Sequence, residues 1–168
     1  SDLIEYTREW KGDRFENGRP RVPDDILERM RRVSITQAWG VLHGQGYENQ
    51  YEDGWMCTQP GGTLVGRALT AMYMPPRPVM HAVMKAKGDE AGCIGEQISW
   101  PIDMLAPGDV YVADAYGKIV WGTIIGDNLA TAVKANSGNG AVLNCGVRDI
   151  DGIQEIEDFV CFTRGWHP

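Results

Sequence analysis

The chain has 168 residues, 43% of them hydrophobic, and carries a formal net charge of −7, so it can bury a core of its own and is not a disordered or low-complexity polymer. The acidic balance argues against direct nucleic-acid binding, because phosphate contacts need a basic face. No apolar run approaches the roughly 20 residues of a membrane span.

Residues 1–21 are polar and aromatic and end in Asn17-Gly18-Arg19-Pro20-Arg21; they predict an N-terminal helix and linker, with a single compact domain over 22–168. Val22-Pro23 followed by Asp24-Asp25-Ile26-Leu27-Glu28-Arg29-Met30 signals a helix, with proline and acids at its start and arginines near its end. Ser34 to His43 predicts a second helix, and the glycine-rich 44–62 a loop. Residues 63–74 predict a strand that Pro75-Pro76 terminates. Pro78 to Leu105 predicts one or two helices, interrupted at Gly88 and Gly92.

Lys118 to Ile125 is rich in β-branched and aromatic residues and predicts a buried strand. Gly126 with Asp127 or Asn128 starts a helix. Leu129, Ala130, Ala132, Val133 and Ala135 form its apolar stripe, and Asn136 to Gly140 ends it. Ala141 to Cys145 is the return strand. A helix of about eleven residues covers roughly 16 Å and six strand residues roughly 20 Å, so the chain returns to the level it left. A right-handed crossover then sets the two strands parallel in one sheet. Asp127 and the pair Arg148-Asp149 are separated by twenty residues, and this geometry brings them together at the carboxyl ends of strands, where α/β sheets bind ligands.

Each of these groups has a chemical use at such an edge. The amides of Asn128, Leu129 and Ala130 at the helix start can cradle an anion, and Arg148 offers a bidentate fork for the same carboxylate. Asp127 and Asp149 offer hard oxygen ligands for Mg2+ or Mn2+. Taken alone, Asp127 reads as an N-cap and Arg148-Asp149 as a surface ion pair of little energetic worth. The spacing, the adjacent Gly126 and Gly146, and the shared dicarboxylate-arginine chemistry together favour a site.

Other polar residues rank below these. His43 and His81 are expected to be structural, Asp109 a turn residue, and Asp114 the turn of a hairpin. Glu96 and Asp103 lie on the helical segment, with no spacing that requires them at the site. Arg67, mid-strand, is expected to face solvent, a subunit partner or an anion, the first two ahead of the third, and the six tryptophans to serve core and interface packing. Cys57, Cys93, Cys145 and Cys161 show no C-x-x-C or Cys/His clustering. Reduced thiols and a cytoplasmic location are therefore expected, rather than a zinc site or disulfide framework. Because the chain begins at Ser1, a leader removed upstream is compatible with the sequence.

The segments Gly-Asp-Asn-Leu-Ala-Thr-Ala (126–132) and Gly-Ala-Val-Leu-Asn-Cys-Gly-Val-Arg-Asp-Ile-Asp-Gly-Ile (140–153) resemble the core of the RraA-like proteins and the 4-hydroxy-4-methyl-2-oxoglutarate/4-carboxy-4-hydroxy-2-oxoadipate aldolases. Gly62 to Thr70, Ala106 to Asp114 and Phe159 to Gly165 resemble three further stretches of that family, so the likeness runs over about residues 33–167. It implies an α/β fold with a swivelling β/β/α core, assembled as a homotrimer or hexamer with sites at subunit boundaries. It also implies an Mg2+- or Mn2+-dependent lyase that cleaves a 4-hydroxy-2-oxo-diacid to pyruvate and an oxo-acid, with oxaloacetate decarboxylation as a side activity. In that branch Arg148 corresponds to the residue that binds the pyruvyl carboxylate, and Asp149 to the one that holds the metal. Asp127 corresponds to a member of the metal and water network, and Gly126, Asn128 and Leu129 to backbone that contacts pyruvate. The family's regulatory members, which inhibit an RNA-degrading endonuclease, tend to lack the first aspartate and stand as the alternative. Family members continue past the Phe-x-Arg-Gly segment into further strands and a helix, whereas this sequence is short there. The acidic residue that the aldolases contribute from that region has no counterpart here. A methyltransferase reading is disfavoured, because the Asn136 to Gly140 turn follows a helix rather than a strand.

Overall fold

A computed structural model describes residues 2–168. The chain forms two compact units, 1–52 and 53–168. The first holds α1 (Asp2–Tyr6), α2 (Asp24–Met30) and α3 (Ile35–Gly44). The two later helices fall where the sequence signals them. Ser34 caps α3 through a reciprocal box: its hydroxyl accepts from the Gln37 amide, and the Gln37 side chain accepts from the Ser34 amide. That arrangement satisfies two otherwise orphaned donors. None of the three helices buries a residue.

The second unit is built on a six-stranded sheet of order β1-β6-β5-β3-β2, with β4 also pairing β5. Its elements in chain order are β1 (Met56–Cys57), β2 (Arg67–Met72), α4 (Pro78–Glu90), α5 (Trp100–Asp103), β3 (Asp109–Asp114), β4 (Thr123–Ile125), α6 (Asp127–Ser137), β5 (Ala141–Val147), α7 (Ile150–Glu155) and β6 (Cys161–Trp166). Every pairing is parallel except β1 on β6, and the parallel pairs agree with the α/β class expected. β3 flanks the first half of β5 at residues 141–144, and β4 takes its place beside 146–147. β6 runs along the other side of β5 from Ala141 to Val147.

The core lies on the face covered by α5, α6 and α7. Alternate strand residues point into it, Tyr111 and Ala113 from β3 and Leu143, Cys145 and Val147 from β5. They meet Ala130 and Val133 of α6, Ile153 of α7, and Phe159. Burial of each large apolar side chain contributes about 1.5–3 kcal/mol. The opposite face carries half-buried Val112, Asp114, Val142 and Asn144. Helix α4 buries only Gly88, and a methyl group there would collide with the Trp100 indole.

Several elements depart from expectation. The strand expected over 118–125 is reduced to Thr123–Ile125. Residues 115–122 instead close tight turns, with Tyr116 and Trp121 at φ 59° and 58° and the Gly122 amide donating to the Ile119 carbonyl. Asp114 turns no hairpin, since β3 and β4 both run parallel to β5; its carboxylate accepts from the Tyr116 amide and the Asn144 side chain. Arg67 faces neither solvent nor a partner. It is 7% exposed and pairs with the fully buried Asp109, Nε to Oδ1 3.5 Å. Asp109 does hold a turn, accepting from the Ala106 amide. All four cysteines are free, with Cys145 and Cys161 buried. The tryptophans are not core residues in the main, since Trp121, Trp166 and Trp39 are exposed.

Candidate functional site at the carboxyl edge of the sheet

The excursion from β4 through α6 to β5 closes as its lengths predict. Helix α6 has eleven residues and ends on Gly138, which adopts the left-handed conformation at φ 68° that favours glycine at this position. Its N-cap is Gly126, so Asp127 is the first helical residue rather than the cap. The return strand delivers Arg148 beside the end of β4, where its amide donates to the Ile125 carbonyl at 3.1 Å.

Asp149 follows at φ 53°, ψ 46° and is the N-cap residue of α7. This left-handed conformation costs most L-residues energy, and aspartate is among the few that tolerate it. It turns the carboxylate back along the chain, where Asp149 Oδ2 lies 3.4 Å from Arg148 Nε.

Two glycines let the pieces close together. A methyl group on Gly126 would press on the Asp149 carboxylate and stand 3.0 Å from Arg148 Nε. A methyl group on Gly152 would stand 2.9 Å from Asp127 Oδ2. The starts of α6 and α7 therefore interlock, with Arg148 and Asp149 against Gly126 and Asp127 against Gly152.

The anion cradle is narrower than expected. The Asn128 amide donates to Asp127 Oδ1 at 2.6 Å and the Ala130 amide to the Gly126 carbonyl at 2.9 Å, so two of the three amides are engaged within the helix start. Arg148 remains open, with its side chain 59% exposed against 48% for Asp149. Both face an open cleft of about 440 Å³ lined also by Ile150, Asp151, Trp166, His167 and Pro168.

Among the described residues no cluster of three or more His, Cys, Asp or Glu could hold a metal ion. The donor set is thus at most a pair of carboxylates. Mg2+ or Mn2+ is an ion that binds through one or two carboxylates and keeps water or substrate in its other positions.

His167, Trp121, Asp151 and Gly152 escaped the sequence reading. The His167 amide donates to the Val147 carbonyl at 2.9 Å, its carbonyl accepts from Thr123 Oγ1 at 2.8 Å, and its ring tilts against Trp121 with centroids 5.5 Å apart. These contacts exist only because β6 runs parallel to β5. Glu96 and Asp103 do not line the cleft; Glu96 lies 4.0 Å from His81 on the surface. His43 stacks on Trp39.

The sequence matches the family model described as RraA-like, Aldolase/RraA, over residues 25–168. The chain belongs to the RraA-like family.

Among solved structures, RraAS2 of Streptomyces coelicolor, an unusual member of the RNase ES inhibitor RraA protein family, is 25% identical with a TM-score of 0.66, over 88% of this chain and 67% of that one. A Pseudomonas syringae protein is 20% identical with a TM-score of 0.63, over 89% and 62%. The RNA-processing inhibitor RraA of Thermus thermophilus is 15% identical with a TM-score of 0.53, over 77% and 67%. The last two likenesses show the fold alone, and this RraA-like chain spans about two thirds of the length of each of the three. Among curated proteins no relative matches. No helix among the described residues is long and apolar enough to cross a membrane.

Proposed function

We propose that this RraA-like protein is a divalent-metal-dependent lyase that releases pyruvate from a 4-hydroxy-2-oxo-diacid. One observation carries the reading: the Arg148 guanidinium and the Asp149 carboxylate close on Gly126 at the carboxyl edge of the sheet, beside an open cleft, with Asp127 next to that glycine in the chain. Asp149, with Asp127 beside it, would hold Mg2+ or Mn2+, which when bound supplies polarisation of the 2-oxo group. Arg148 grips the C1 carboxylate, and its exposed fork suits bidentate pairing with a planar anion. The bare Gly126 leaves room for the Asp149 carboxylate and the Arg148 side chain beside the helix start, where the backbone of Asn128 and Leu129 would contact the substrate's oxo-acid end. Oxaloacetate places the same oxo-acid end on the same groups, so its decarboxylation is the expected side activity.

Exposed Val79, Met80, Val83 and Met84 on α4 suit burial against further copies, in keeping with a trimer or hexamer. The decisive assay is pyruvate release from a 4-hydroxy-2-oxo-diacid. Release is expected to stop with EDTA and in Asp149→Ala; release that survives both overturns the reading.

The competing reading is a non-catalytic regulator that binds a protein partner such as an RNA-degrading endonuclease. It is favoured by likeness to a protein of the RNase ES inhibitor RraA family. Thermal stabilisation by oxalate with Mg2+, lost in Arg148→Ala, supports the lyase; absence of any shift supports the regulator.

A further inference from the structure

Arg148, Asp127 and Asp149 account for gripping an oxo-acid and holding a metal, but none of them is a free proton carrier. Resting on the lyase reading, we infer that His167 is the residue that moves the proton.

Three observations point to it. First, its place is fixed by the main chain. The His167 amide and carbonyl are bonded to Val147 and Thr123, so the residue sits across from Arg148 at the end of the neighbouring parallel strand, whatever its side chain does. Second, it helps line the cleft that Arg148, Asp149 and Asp151 also line. Third, His167 Nδ1 lies 2.8 Å from the Pro168 oxygen, and with Nδ1 donating there Nε2 is the ring nitrogen left to act as a base. Trp121 is tilted against the ring at 50°.

The proton balance closes without a co-reactant. Nε2 takes the proton of the C4 hydroxyl, the C4 oxygen becomes a carbonyl, and the C3–C4 bond breaks with its electron pair left on the pyruvate fragment. The protonated Nε2 then returns the same proton to C3, giving pyruvate and restoring the neutral ring. Asp151 is the competing carrier in the same cleft.

The test uses the whole chain with Mg2+ and follows two reactions: pyruvate release from the hydroxy-oxo-diacid, and exchange of the pyruvate C3 hydrogens for deuterium by proton NMR. His167→Ala is expected to slow both on the order of 10²- to 10³-fold and to be partly rescued by added imidazole. His167→Asn stays as slow as His167→Ala, and Asp151→Asn slows both reactions far less than either. Oxalate stabilisation with Mg2+ is expected to be retained in every His167 variant, because backbone groups anchor the segment. Wild-type rates in His167→Ala, loss of oxalate stabilisation in that variant, or a collapse in Asp151→Asn each overturns the assignment. If the wild-type protein neither exchanges pyruvate nor responds to oxalate, the lyase reading itself falls, an outcome distinct from failure of His167 alone.

Discussion

The sheet carries two arginine-aspartate pairs, at opposite ends of its parallel strands. At the amino edge Arg67 and Asp109 are 6% and 0% exposed, while at the carboxyl edge Arg148 and Asp149 are 59% and 48% exposed. The N-to-O separations are alike, 3.5 Å and 3.4 Å. Distance therefore does not distinguish the pairs; solvent does. The first pair is sealed, joins the start of β2 to the start of β3, and is joined there by the Arg67 bond to the Pro107 carbonyl. Its charges have no access to a ligand. The second gains little from its own attraction, because water screens it, and so either partner can exchange that contact for a ligand.

The largest effect that would break this contrast is on stability. Asp109→Ala removes the carboxylate from a buried guanidinium and should cost about 3–5 kcal/mol, measured by denaturant unfolding; a loss below about 1 kcal/mol would make the amino-edge pair dispensable. Alkaline pH should act on the same sealed interior. Burial raises the Cys145 thiol from 9.0 to about 12, and it raises the hydroxyls of Tyr73 and Tyr111 as well. Above about pH 9 the unfolded chain releases protons that the folded chain keeps. Stability present below pH 9 is therefore lost as pH rises towards 12, and Cys145→Ala should flatten the fall in melting temperature over that window.

At the open edge, ligand binding rather than folding should respond. Gly126→Ala displaces the Asp149 carboxylate and should weaken oxalate stabilisation with Mg2+ on the order of tenfold, about 1.4 kcal/mol, with the melting temperature of the free protein little changed. The smallest effect is that of Arg148→Ala on unligated stability, expected below about 1 kcal/mol. A loss as large as that of Asp109→Ala would place both pairs in the same structural role.

The β4-α6-β5 excursion was legible because a helix stop at Asn136 to Gly140 and two apolar strands leave little freedom in its geometry. The closeness of the starts of α6 and α7 follows from it. The 115–122 turns were not legible, because Ile119, Val120 and Trp121 favour a strand locally and only packing along β5 overrides them. Arg67 and Asp109 are forty-two positions apart in sequence. Their pairing appears only once β2 and β3 are known to run parallel with these residues in register. His167 was missed for the same reason, since nothing local says that the end of β6 lies beside Arg148. The engaged amides of Asn128 and Ala130 are a matter of atomic position that residue type does not encode.

The left-handed backbone at Asp149 has an evolutionary consequence. Glycine and asparagine accept that conformation at least as well as aspartate, and each is one base change from an aspartate codon. The position can therefore lose its carboxylate without a change in the chain's path, leaving the scaffold and its outer surfaces intact. Within a fold described as both aldolase and RraA, a single substitution at such a site would separate the history of the chemistry from the history of the shape.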